Sequence, residues 1–71
     1  MEFQYYYFEE VETEKSFLIH TESKAEALKI AENIELEIMI KNKIKTKIIF
    51  FGCIPDEDAL KSELEIFEGE Y

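Results

Sequence analysis

Apolar positions in this chain follow two periods, and each change of period marks a change of element. Residues 2–8 are dense in aromatic side chains, and Ser16-Phe17-Leu18-Ile19-His20-Thr21 is a second apolar run. The Glu- and Thr-rich stretch between them has no apolar repeat. Two such runs around a polar break predict a β-hairpin. Ser23-Lys24-Ala25-Glu26 then matches a capping box, in which the serine hydroxyl takes the third backbone N–H and the glutamate reaches back. A helix is expected to start there. Its inward stripe is Ala27, Leu28, Ala31 and Ile34, spaced three and four apart, and Asn33 closes it in a left-handed conformation.

From Ile34 onward the period becomes two. Ile34, Leu36, Ile38 and Ile40 alternate with Glu35, Glu37 and Met39. Ile44, Thr46, Ile48 and Phe50 alternate with Lys43, Lys45, Lys47 and Ile49. This predicts two more strands, joined by a loop at Lys41-Asn42-Lys43. The register that keeps isoleucines off lysines pairs Ile40 with Ile44, Ile38 with Thr46 and Leu36 with Ile48, and sets Lys47 opposite Glu37. A rival reading carries the helix unbroken to Asn42, which glutamate and leucine tolerate; the alternation ranks it second.

Gly52 and Pro55 end the last of these strands. Pro55-Asp56-Glu57-Asp58 has the form of a helix entry, with proline in the first turn and acids at the positive end of the dipole. Leu60 and Leu64 would face inward, and Leu64 to Tyr71 would either extend this helix or form an edge strand. The expected fold is a single α+β domain over residues 1–71, an antiparallel β-sheet with helices on one face in the order ββαββα. Adjacent strand residues point to opposite faces, so Tyr5, Tyr6, Tyr7 and Phe8 cannot all lie beneath helices, and residues 48–51 are apolar on both faces too. The second face calls either for a cover, a homodimer or a protein partner, or for tyrosine hydroxyls that simply reach water.

Composition narrows the class. With 71 residues the chain holds one small core, and a chain this short hides only about 60% of the surface its unfolded form exposes. Hydrophobic residues make up 46%, including six Phe and four Tyr, which is too apolar for a disordered acidic tail. The lone Cys53 allows no internal disulfide and fits a reducing compartment, so cytoplasmic residence is expected. The N-terminus has no basic region followed by a long apolar run, and no stretch approaches the ~20 apolar residues of a membrane span. Seventeen acids against eight lysines give a formal charge of −9. That surface repels nucleic acid and anionic membranes and attracts basic protein surfaces.

Candidate chemistry is sparse. His20 is the only histidine, at the end of an expected strand; an enzymatic reading needs it in a deep cleft beside a carboxylate. Cys53 follows a glycine in a turn, and the acids after it oppose a reactive thiolate. Asp56-Glu57-Asp58 lacks the spacing and glycine of a calcium loop, and no phosphate-cradling or zinc-ligand motif occurs, so neither metal nor cofactor is expected. Lys41, Lys43, Lys45 and Lys47 share one expected strand face or edge, where lysines guard against edge pairing.

The acids carry the functional expectation. Glu10, Glu12 and Glu14, and again Glu35 and Glu37, recur at every second residue. In an extended strand that spacing puts carboxylates about 7 Å apart, close to the phosphate spacing of one nucleic-acid strand. Glu9, Glu10, Glu12, Glu14, Glu35 and Glu37, with Tyr5, Tyr6 and Tyr7 for grip, are the expected partner-binding residues. They suit a lysine- and arginine-lined groove, although glutamates also serve only to keep a small domain in solution.

By length, acidity, aromatic content and lack of catalytic motifs the chain resembles the small anti-CRISPR proteins that bacteriophages encode. Those proteins share no common motif, so the likeness covers the chain as a type and transfers no residue-level role. It implies stoichiometric inhibition of a CRISPR effector in the host cytoplasm, by blocking its nucleic-acid channel or locking its conformation. The run Phe17 to Leu28 also resembles the strand-to-helix joint of many small phage and plasmid proteins. The expected function is therefore non-enzymatic binding to a basic nucleic-acid-binding protein or complex, without direct contact to nucleic acid. The alternative is a homodimeric accessory module.

Overall fold

A computed structural model describes residues 3–69, in the order β1 (Gln4–Glu10), β2 (Lys15–Thr21), α1 (Lys24–Asn42), β3 (Ile48–Ile54), α2 (Asp56–Lys61) and β4 (Glu65–Glu68). The expected hairpin is present. β1 and β2 pair antiparallel with Tyr6 opposite Ile19 and Phe8 opposite Phe17. Glu2, placed at the start of the first strand by its sequence, lies outside the described residues. The capping serine is also in place: Ser23 is extended at φ −145°, and its Oγ accepts the Glu26 N–H at 3.2 Å. Ser23→Ala is expected to cost about 1 kcal/mol and to lower the thermal midpoint by roughly 4–8 °C in a domain of this size, read by circular dichroism.

Beyond Asn33 the expected reading fails and its rival holds. α1 runs on to Asn42 and is closed by Lys43, which is left-handed at φ 56° and donates its N–H to the Met39 carbonyl. The segment from Ile34 contains no glycine or proline and is rich in Glu, Leu, Met and Lys, all compatible with helix. Ile34 and Ile38, four apart, also continue the stripe begun by Ala27 and Ala31. The strand at 34–40, its loop and its pairing with 44–48 therefore do not exist, nor does the Lys47–Glu37 cross-strand pair. β3 begins only at Ile48. Leu28, expected inward, is 43% exposed; its place on the packed side is taken by Ile30. Leu60 is likewise 72% exposed, and Ala59 is the residue of α2 that is buried. Residues 65–68 form an edge strand, while Glu70 and Tyr71 lie outside the described residues.

The order is thus ββαβαβ, and the sheet is mixed rather than antiparallel. Its strands run β3-β1-β2-β4, with β1 antiparallel to both neighbours and β4 parallel to β2. The parallel pair follows from helix connections: β2 reaches β3 through α1, and β3 reaches β4 through α2. These two crossovers travel in opposite directions across the sheet. Right-handed crossovers of opposite direction must pass over opposite faces, so the helices do not share one face as expected. Burial agrees. α1 packs over Tyr6, Phe8, Phe17, Ile19 and Ile48 as one cluster, whereas Leu18 and Ala59 are buried outside that cluster and α2 packs on β1. A β-bulge opposite Tyr7 and Phe8 inserts Phe51 as an extra residue in β3, beside Gly52 at φ 143°, a conformation that side chains rarely adopt.

Candidate functional site

The hairpin end of the sheet gathers part of the expected acidic set. Glu10, Glu37 and Glu65 line a cleft of about 320 Å³ between the hairpin, the last turns of α1 and β4, with Lys15 and Lys41 on the same walls. Each reaches it by a different route. Glu10 lies at the end of β1 on the α1 side of the sheet and is only 8% exposed. Glu37 is exposed on α1, and Glu65 opens β4. Phe17 and Phe67, edge-to-face at 5.3 Å between ring centroids, form part of the apolar floor.

The other expected residues are not brought into one row. Glu12 and Glu14 stand exposed in the turn between β1 and β2, with Glu14 left-handed at φ 56°, so the alternate-residue acids never share an extended strand. Glu35 and Glu37 are on a helix, where residues two apart point in different directions. Glu35 is moreover occupied: its Oε2 accepts the Ile48 N–H at 2.8 Å and ties α1 to β3. Glu9 is half-buried on the face away from α1. The lysines Lys43, Lys45 and Lys47 lie in the irregular segment before β3 rather than along a strand, and Lys41 sits in the last turn of α1, where it complements the dipole.

Tyr6 does not belong to a binding surface. It is buried under α1, and burial first, with the charge of Cys53 second, raises its phenol above the ordinary 10.0. The folded chain therefore holds that proton more tightly than the unfolded chain. This stability is fully present below pH 10 and is lost as pH rises through the folded value. The urea midpoint is expected to fall above pH 10, with a shallower fall in Tyr6→Phe. Tyr5 and Tyr7 lie half-buried on the opposite face: Tyr5 stacks on His20 at 4.2 Å, and the Tyr7 hydroxyl donates to Ser16 Oγ at 2.9 Å.

Sequence reasoning missed the partner of His20. Its Nδ1 hydrogen-bonds Glu68 Oε2 at 2.8 Å, across the parallel β2–β4 pair that no local pattern announced. This histidine beside a carboxylate lines neither the cleft nor a second, shallower depression of about 680 Å³ around Cys53, Gln4 and Asp56. Among the described residues no three His, Cys, Asp or Glu side chains come together to hold a metal ion. No helix among them is long and apolar enough to cross a membrane. Compared with known protein families, curated proteins and solved structures, the chain matches none.

Proposed function

We propose that the chain is a non-enzymatic binding protein that covers the cationic surface of a nucleic-acid-binding protein or complex, of the kind a CRISPR effector presents, and so keeps nucleic acid out. The observation that carries this reading is the supply of unoccupied carboxylates. Seventeen acids give the chain its −9 charge, and among the described residues only Glu35 and Glu68 commit theirs to a hydrogen bond or ion pair. Unpaired carboxylates are free to meet lysine and arginine in charge-assisted contacts. Glu12, Glu14 and Glu37 project at the hairpin end, half-buried Glu9 stands beside them on the face away from α1, and Tyr5 and Tyr7 offer half-buried rings on that same far face, whereas Glu10 is buried.

The test is a binding titration against a purified CRISPR effector. Affinity is expected to weaken steeply as salt rises from about 0.05 to 0.5 M, because exposed charge pairs are screened over that range. The triple reversal Glu12→Lys, Glu14→Lys, Glu37→Lys is expected to weaken binding by at least about tenfold, equivalent to ~1.4 kcal/mol. Binding that ignores both salt and the triple reversal, in a variant with unchanged circular dichroism, refutes the electrostatic reading.

A further inference from the structure

The two edges of the sheet are built differently. β4 is four residues long and carries Glu65 and Glu68, the short charged form of edge that resists pairing. β3 is seven residues, Ile-Ile-Phe-Phe-Gly-Cys-Ile, with no charge at all in a chain that is 35% charged, and Phe51 stands 59% exposed on it. An edge of that kind is a template for another strand.

The hydrogen-bond phase of this edge is legible. Val11 N–H donates to the Lys47 carbonyl at 2.9 Å, which makes Val11 and Lys47 a hydrogen-bonded pair. Alternation along β1 then makes Glu9–Ile49, Tyr7–Gly52 and Tyr5–Ile54 hydrogen-bonded pairs as well. The backbone groups of Ile48, Phe50 and Cys53 are left pointing away from β1. The Ile48 N–H confirms the phase, since it turns outward to Glu35. Phe50 and Cys53 are the residues with an outward edge to offer.

From these observations we infer that two copies of the chain join their sheets antiparallel through the outer edges of β3, about a two-fold axis between Phe51 and Gly52. In that register Phe50 of each copy is hydrogen-bonded opposite Cys53 of the other. The bulge makes the faces agree. Phe50 and Cys53 both lie on the α1 side, opposite Phe8 and Tyr6, while Ile49 meets Ile54 on the other side, where both oppose Glu9 and Tyr5. Ile48 falls opposite Pro55, which has no N–H, so the ladder ends where Glu35 has already filled the site. The flanks just beyond the ladder are complementary in charge: exposed Lys47 immediately precedes β3 and exposed Asp56 immediately follows Pro55, so Lys47 of each copy lies next to Asp56 of the other. Two-fold symmetry makes this pair twice.

This inference stands apart from the proposed effector binding, because it concerns the other edge of the sheet and is read on the chain alone. Sedimentation of the full chain at about 10 μM, in the range of moderate protein interfaces, is expected to give twice the 8.5 kDa chain mass. Lys47→Glu and Asp56→Lys should each raise the dimer dissociation constant about tenfold, since each turns both symmetry-related charge pairs at the ends of the ladder repulsive. The double variant Lys47→Glu with Asp56→Lys restores opposite charges and should return within about threefold of the original. A spin label on Cys53 should show dipolar broadening, with the two labelled backbones about 11 Å apart in this register. A chain that stays single at 100 μM overturns the inference. So does a dimer indifferent to both single reversals, one that the double variant does not rescue, or one without broadening at Cys53.

Discussion

Phe8→Ala is expected to remove about 3–5 kcal/mol, a third or more of the chain's stability, and to lower its urea midpoint accordingly. Phe8 lies at the middle of the α1-side core, stacked on Phe17 at 5.8 Å between ring centroids and tilted against Phe50 at 5.4 Å. It thus joins three strands at one point, and emptying the site removes contacts on all of them. Truncating a buried phenylalanine to alanine costs about 3–5 kcal/mol. At roughly 0.05–0.15 kcal/mol per residue, the whole stability of a chain this size is only about 4–10 kcal/mol. Phe8→Leu, which keeps most of the volume, should cost less, about 1–2 kcal/mol, and remain folded. Urea titrations of the three proteins by circular dichroism provide the check: equal midpoints for Phe8→Ala and the parent would show that this cluster is not the core.

What the amino-acid sequence disclosed, and what it hid, follows from how local each signal is. The hairpin and the Ser23 cap were legible because both depend on residues within a few positions of one another. Residues 34–40 misled for a specific reason. A step of four is even, so Ile34 and Ile38 fit period two as well as a helix, and Leu36 and Ile40 complete the alternation while standing exposed on the far side of α1. The continuation of the Ala27–Ala31 stripe was the better guide, because it matched the helix already under way. Glu10 could not be told from Glu9 or Glu12 by type; its burial comes from the turn at residues 11–14, which sets it opposite Lys15 and Ile48 rather than in a row of free carboxylates. The parallel placement of β4, and with it the Glu68 partner of His20, depends on a crossover that spans the sheet and leaves no periodic mark. Of the expected site, the acidic excess was readable from composition, whereas its arrangement required the topology.

Leu18→Ala tests that topology most directly. β2 buries Phe17, Leu18 and Ile19 in succession, which is possible only if both faces of this strand are covered. Leu18 is 0% exposed, yet it points away from the cluster that α1 covers. Its cover must come from the far side, where the connection from β3 to β4 carries α2 and buries Ala59. With that layer in place, Leu18→Ala should cost about 2–5 kcal/mol, second only to Phe8→Ala. An arrangement with both helices on the α1 side would leave Leu18 at the surface, where the same change costs about 0.5 kcal/mol or less. Leu28→Ala and Leu60→Ala provide the calibration, since both side chains are largely exposed and each should shift the urea midpoint little. A loss for Leu18→Ala no larger than theirs would place both helices on one face after all, whereas a loss several times larger would show that this 71-residue chain stabilises its central strand from both sides.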